Sequence, residues 1–409
     1  MSLGLYISVP FCRTKCSYCN FASDVFSRAV FERYVERVAT DIAQAAETAE
    51  QMGGVFESSV DSIFLGGGTP TILDITQLER LFVTISQKFV VKNSAEITVE
   101  CAPGTVSPQM IEALQRCGVN RVSLGVQSFV DLEAASVGRL HKRATVLDDI
   151  ARLRAAGIEN INVDLIAGLP HQTAESWEFS VAEAIATGAP HVSVYMLEVD
   201  DDSRLGRELM AGGTKYHAHF VPDDELTADF YETACERLNA AGVAQYEISN
   251  FAHAGQKSRH NLKYWTRQPY LGFGVDAHSM LVSSDKTHEA VRFSSPDSLE
   301  EYVAGKAPQK THVPAQGALE EAFFLGLRLN RGVNLKSIAK EFGHAATDAL
   351  SDTISECVES GLLELDGDVI RLTPRGRLLS NEVFERFILD ESSVGRAPSL
   401  AAFEVAPDF

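Results

Sequence analysis

The chain has 409 residues, with 36 Lys plus Arg against 56 Asp plus Glu and a net charge of −20. Its composition, 45% hydrophobic and 22% charged, is that of an ordinary globular protein that can bury a large core without disulfides. So acidic a chain is poorly suited to holding nucleic acid by phosphate neutralisation. It shows neither an export signal nor an apolar run of about 18 residues for a membrane span. The cytoplasm is therefore the expected location; a membrane partner is compatible with this, but nothing in the sequence anchors the chain.

The first strand-like run, LYISVP from Leu5, leads into VPFCRTKCSYCNF, which holds Cys12, Cys16 and Cys19 with C-x3-C-x2-C spacing. Three thiolates on one tight loop can hold three irons of a [4Fe–4S] cluster and leave the fourth iron free for a small ligand. A structural zinc site needs four ligands, commonly from two separated pairs, and no second pair exists here. Cys101, Cys117, Cys235 and Cys357 are isolated and read as small hydrophobes.

Further strand candidates are DSIFLG from Asp61, AEITVE from Ala95, NRVSLGV from Asn120, NINVDLI from Asn160 and HVSVYML from His191. Amphipathic stretches lie between them: near Arg28 to Gln51, Gln77 to Phe89 behind a cap at Thr76, Pro108 to Cys117, Thr145 to Ala156, and Glu175 to Thr187. Six βα units with strands that read as apolar predict a parallel sheet curled into a partial (β/α)6 TIM-like barrel. Ligands of such sheets sit at the carboxyl ends of the strands. The unusual residues fall there: the cysteine loop, GGGTP (Gly66 to Pro70), Glu100, Gln127 and Asp164.

The three glycines of GGGTP would let backbone carbonyls meet a ligand ammonium group, or simply make a tight turn. Glu100 could accept hydrogen bonds from a ribose diol, or be a solvated rim charge. Asp164 interrupts an apolar strand, which is costly unless it is paired or ligand-bound. Arg139, in GRLHKR, is a plausible partner for Asp164 or for a substrate carboxylate.

A helix from about Asp223 to Ala241 and a strand in QYEISNFA follow. HNLKYWTRQPYLGFGVDAHS fits neither period and reads as a long packed loop. His260 beside Tyr264 and Trp265 could ligate a haem iron with the aromatics against the ring, or be a hydrogen-bonded core histidine. His217, His219, His253, His278 and a cysteine thiolate are rival ligands. The polar stretch Ser283 to Pro314 places the domain junction, giving a barrel with its strand and aromatic loop over 1–285, a second domain over 286–390 and a loose tail over 391–409. The second domain reads as a small α+β winged helix: helices at Leu319 to Leu329, Leu335 to Phe342 and Ala346 to Ser360, then a hairpin around Asp366-Gly367-Asp368. Between Ala318 and Ile388 stand 8 basic and 12 acidic residues. That balance counts against DNA and for a lid or docking module.

CRTKCSYC and GGGTP together resemble the radical S-adenosylmethionine (SAM) superfamily. RVSLGVQSF, GRLHKR, INVDLIAGLP, YEISNFA and HNLKYW resemble, within it, the family of oxygen-independent coproporphyrinogen III oxidase and the HemW-type haem chaperones, over most of the chain. The oxidase type carries a fourth cysteine where Phe21 stands. The oxidase also has a long N-terminal segment, for which the eleven residues before Cys12 leave no room. HNLKYW is the haem-associated motif of the HemW type, so the chain is expected to sit on that branch.

The resemblance implies that Cys12, Cys16 and Cys19 hold the cluster. It places Tyr6 near cluster and cofactor, Tyr18 at the aromatic place between the last two cysteines, and Gly67, Gly68, Thr69 and Glu100 in the SAM pocket. Gln127, Arg139 and Asp164 match positions that touch SAM in the oxidase. The implied chemistry is reductive cleavage of SAM to a 5′-deoxyadenosyl radical, with the protein supplying binding, orientation and exclusion of water. The implied partners are an electron donor and a haem-accepting protein. Turnover of coproporphyrinogen III is the alternative that the intact SAM pocket keeps open, and it is not the expected activity.

Overall fold

The computed structural model describes residues 2–285 and 287–389; the expected tail at 391–409 lies outside them. Six strands run parallel in sequence order: β1 (Leu3–Ser8), β2 (Ser59–Gly66), β3 (Val90–Cys101), β4 (Arg121–Gln127), β5 (Asn160–Ala167) and β6 (His191–Met196). The ladder continues past both ends and does not close. Beyond β6 lie β7 (Ala244–Gln245) and β8 (Asn250–Ala252), with β8 antiparallel to β6. Beyond β1 lie β9 (Tyr270–Phe273), parallel to it, and then antiparallel β10 (His278–Val282), β11 (Ala290–Ser294) and β12 (Gln309–Val313).

The crossover helices form because their apolar residues recur at three- and four-residue spacing. The helix Arg28–Ala43 buries Phe31, Tyr34, Val35, Val38 and Ile42 against the sheet. Its expected continuation breaks at Gln44, and a separate helix spans Ala45–Met52. The helix Ile75–Lys88 is capped by Asp74, not Thr76, through a reciprocal box with Gln77. Ser107 with Pro108 and Thr173 with Ser176 start later helices in the same local way. Helices and outer sheet face share one large core, from Leu3 to Tyr302.

Three expectations are corrected. The domain junction expected within Ser283 to Pro314 does not precede β11, because β11 and β12 belong to the main sheet. The aromatic stretch is no loop: it folds as the helix Arg259–Trp265, then β9 and β10. The strands are not apolar throughout. Ser62, Arg121, Ser123, Asn162, Asp164, His191 and Ser193 alternate along β2 to β6 and meet on the inner face.

The C-terminal region carries helices Ala315–Arg328, Leu335–Phe342, His344–Asp348 and Ser351–Glu359 and the sheet β13 (Val333–Asn334), β15 (Val369–Leu372), β14 (Leu363–Asp366) in that order. Its core reaches back to Tyr264, Trp265 and Tyr270. A buried ionic knot joins the two regions: Glu321 accepts from Arg267 Nε and Arg292 Nε, each at 3.1 Å. Removing one member of such a buried set strands the others. Glu321→Ala should lower stability by about 3–5 kcal/mol in urea denaturation. Glu301→Ala, which breaks only the exposed pair with Lys306, should change it by less than about 1 kcal/mol.

Candidate functional site

The site is built from loops at the carboxyl ends of β1 to β6. After β1, Val9 N–H donates to Gly66 O (2.7 Å), and the cysteine loop folds back with Cys12 N–H on Asp24 O (3.1 Å) and Asp24 N–H on Pro10 O (3.0 Å). Its crown rests on the segment after β4, where Ser17 N–H donates to Val137 O (3.1 Å) and Thr14 Oγ1 to Gly138 O (2.9 Å). The helix Arg204–Ala211 clamps the other side: Leu205 N–H donates to Ser17 O (2.8 Å) and Arg204 Nη1 to Lys15 O (3.2 Å). Burial pushes the Cys12 thiol up to about 11 and raises Cys19. Among the described residues no three His, Cys, Asp or Glu side chains close on one point as a single ion requires. A cubane asks for something else, because each thiolate binds its own iron. Three thiols on one anchored eight-residue loop fit that demand.

The glycine loop lies against the cysteine loop. A Cβ on Gly68 would stand 2.5 Å from Val9 O and 3.0 Å from Phe11 O, and one on Gly66 would stand 2.8 Å from Glu100 Cδ. Gly67 has φ +85°, and a Cβ there would stand 2.9 Å from the Tyr6 hydroxyl. Thr69 N–H donates to Phe11 O (2.8 Å), and its hydroxyl donates to Cys12 Sγ (3.8 Å).

Glu100 faces this loop. Burial raises its pKa well above the carboxylate range, and the Asp164 charge adds to that; the Gly67 N–H and Arg139 oppose it. Gln127 sits at φ 68°, with its Oε1 buried and unpartnered. Such strain in a non-glycine residue, with an orphaned acceptor, marks a place shaped for a ligand. Arg139 and Gln127 both lie over Gly125. Arg139 donates from Nη2 to Tyr18 OH (3.1 Å), while its Nε is buried without a partner. Burial opposes its charge, but Cys16 and Tyr18 outweigh that and raise its pKa.

Two expectations change here. Arg139 does not pair with Asp164. Asp164 accepts from Ser123 Oγ (2.9 Å) and Asn162 Nδ2 (2.6 Å), and the charge favouring its ionised form is that of Arg121; burial still raises its pKa. His260 is not at this rim. Its helix packs against Gly4 of β1, Ser62 and Phe64 of β2 and Glu96 of β3, and the Glu96 carboxylate accepts from the Arg259 N–H (3.1 Å) and His260 N–H (3.0 Å). The ring is wholly buried, stacked on Phe64 at 5.4 Å, and both nitrogens are taken: Nδ1 by Ser62 Oγ (3.0 Å) and Nε2 by Tyr264 OH (2.8 Å). Burial, then Lys263 and Arg121, pull its pKa down to about 3. Trp265 lies under the Arg328 guanidinium, 4.2 Å away.

Sequence reasoning missed the clamp from Arg204 and the polar ladder around Asp164. The ladder had a legible signal, since polar residues stand two apart in NINVDLI and HVSVYML.

A half-barrel whose first loop carries three cysteines beside a glycine-rich second loop defines a radical SAM protein, and residues 6–184 match the Radical SAM superfamily. Residues 313–379 match the HemN C-terminal domain. The chain is 34% identical to "Heme chaperone HemW" of Bacillus subtilis (strain 168) over 94% of its own length and 98% of that protein. It is 30% identical to the protein of that name in Escherichia coli (strain K12), over 95% and 98%, and 30% identical to "Radical S-adenosyl methionine domain-containing protein 1, mitochondrial" of Bos taurus, over 97% and 90%. The chain belongs to the HemW family. Among solved structures, coproporphyrinogen III oxidase (HemN) of Escherichia coli superposes with a TM-score of 0.81 at 22% identity, covering 95% of this chain and 90% of that one; the likeness extends to the fold. Membership of the superfamily implies a [4Fe–4S] cluster and SAM. Among the described residues no helix is long and apolar enough to cross a membrane.

Proposed function

We propose that this protein binds haem and passes it to an acceptor protein, with a [4Fe–4S] cluster and SAM held at the rim of the half-barrel. The match along nearly the whole chain to proteins named haem chaperones carries this reading. Cys12, Cys16 and Cys19 hold the cluster. When loaded and reduced, it supplies the electron for SAM cleavage, so an electron donor is a second partner. Backbone carbonyls near Gly67, Gly68 and Thr69 receive the methionine ammonium group, and Glu100 accepts from the ribose diol. Tyr6 sets its hydroxyl against the Gly67 turn, and Tyr18 holds Arg139 in place. Arg139 Nε and Gln127 Oε1, buried without partners, supply a donor and an acceptor to the cofactor, and Asp164 stands behind them. The protein's work is to orient these groups and exclude water. We place it in the cytoplasm, with a domain change near the end of β12.

Two assays on one anaerobically reconstituted sample test the reading. Haem titration should give a saturable Soret band. Supplied with reductant, SAM and coproporphyrinogen III, the same sample should form no protoporphyrinogen. Product without haem binding would make it an oxidase.

A further inference from the structure

A chain of buried hydrogen bonds runs along the inner face of the half-barrel and reaches the site above only at Asp164. His191 opens β6 and stands in register with Asn162 of β5, and Asn162 with Ser123 of β4. His191 is wholly buried, and Asn162 and Tyr246 are each 4% exposed. His191 Nδ1 lies 2.6 Å from Asn162 Oδ1, and Nε2 lies 3.0 Å from the Tyr246 hydroxyl. Tyr246 follows β7, and its hydroxyl accepts from the Ser258 N–H (3.2 Å). Ser258 caps the helix Arg259–Trp265, with its own hydroxyl accepting from the Asn261 N–H (3.3 Å). At the other end of the chain Asn162 Nδ2 donates to Asp164 Oδ1 (2.6 Å).

Chemistry fixes the direction of each bond. An ionised carboxylate only accepts, so the Asn162 amide turns its nitrogen to Asp164 and its oxygen to His191. Burial, then the Arg121 charge, keeps the His191 imidazole neutral, with one donor and one acceptor. Its proton therefore sits on Nδ1, facing Asn162 Oδ1, and the bare Nε2 accepts from the Tyr246 O–H. From the helix cap to Asp164 every donor points the same way, and each bond polarises the next. This matters because burial works against the charge of Asp164, and Ser123, Ser193, Asn162 and Arg121 oppose burial. His191 holds the Asn162 amide against the flip that would turn its oxygen on the carboxylate.

We infer that His191 is a positioning residue of the SAM pocket: through Asn162 it holds Asp164 ready for the cofactor, and through Tyr246 it ties the pocket to the start of the helix Arg259–Trp265. The inference rests on the reading above that Asp164 stands at the cofactor. Groups that meet a ligand are held in place by hydrogen bonds from the residues behind them. His191 and Tyr246 lie by the amino ends of the strands, away from the rim, so a change at either reaches the cofactor along this chain.

SAM affinity of the anaerobically reconstituted full-length protein, read by equilibrium dialysis, tests this. Asp164→Asn should weaken it about tenfold, and so should His191→Phe, which keeps a ring and loses both bonds. Tyr246→Phe removes one hydroxyl and should weaken it about threefold. Tyr231→Phe removes a hydroxyl that bonds the neighbouring Ile248 O (2.6 Å) but stands outside the chain, and it should keep the parental affinity. Circular dichroism and cluster iron content confirm that each variant is folded. Nitrogen NMR of histidine-labelled protein should show His191 protonated at Nδ1 in the parent and at either nitrogen in Tyr246→Phe, a signature that a purely structural role would not move. If Asp164→Asn weakens binding while His191→Phe and Tyr246→Phe keep the parental affinity, the inference falls alone and the cofactor reading stands. Equal weakening by Tyr231→Phe, or a parent His191 protonated at Nε2, overturns it as well. If Asp164→Asn keeps the parental affinity, or the parent binds no SAM, the cofactor reading at Asp164 falls too. Should His191→Phe not fold, Tyr246→Phe decides.

Discussion

Replacing Cys16 with alanine is expected to reduce the iron and sulfide content of anaerobically reconstituted protein from about four of each per chain to near zero. Cys16 is the least exposed of the three cluster cysteines, at 9%. Its carbonyl accepts from the Cys19 N–H (3.3 Å), and its neighbour Ser17 is bonded on both sides, to Val137 and Leu205. The thiol thus stands at the fixed centre of the loop. Two remaining thiolates can hold two irons at most, and a cubane with two bare corners loses them to solvent. The loop should stay in place, because its anchors are the backbone bonds from Ser17, Asp24 and Leu205 and the Thr14 hydroxyl bond, and not the sulfur. Loss of the cluster should therefore come with an unchanged circular dichroism spectrum. Iron and sulfide assays with electron resonance of the reduced sample read the result. An unchanged cluster signal would place the ligands elsewhere.

The cysteine loop was legible because its chemistry is local: three ligands within eight residues need no tertiary knowledge. The strand ends were legible because six βα units fix which loops share a rim. Other parts failed for identifiable reasons. β12 reads as part of a polar domain junction because QKTHV is an edge strand with its first three residues exposed, and edges are kept polar against mispairing. Asp164 read as a ligand in search of a partner because its shields, Ser123 and Ser193, come from neighbouring strands. Arg139 was matched to Asp164 by charge alone, and the fold instead turns it to Tyr18. HNLKYW folds as a packed floor in which both nitrogens of the His260 ring are hydrogen-bonded. A histidine among aromatics describes a haem pocket and a packed floor equally well, and only the two hydrogen bonds on its ring distinguish them.

Those two bonds set the last expectation. At pH 7, His260→Ala should lower stability by about 2–4 kcal/mol, from the lost ring volume and from leaving the Ser62 and Tyr264 hydroxyls unpaired in the core. The penalty should shrink in acid. In the unfolded chain the imidazole titrates near its ordinary 6.5, and in the folded protein near 3. Between those values the unfolded state binds the extra proton, so the ring's contribution falls as pH falls through 6.5 and levels off near 3. The slope is about 1.4 kcal/mol per pH unit, which makes the gap between parent and variant about 2 kcal/mol smaller at pH 5 than at pH 7. Glu100 and Asp164, whose folded pKa values are raised, have the opposite pH dependence, since stability from a raised carboxyl is present in acid and lost as pH rises. They are common to both proteins and cancel in the difference. Urea denaturation of the two proteins at both pH values measures it. A gap that does not narrow would mean that His260 is protonated in the fold. Once folded, the variant should also keep the parent's Soret position. A shift there would mean that His260 leaves Ser62 and Tyr264 to bind the iron.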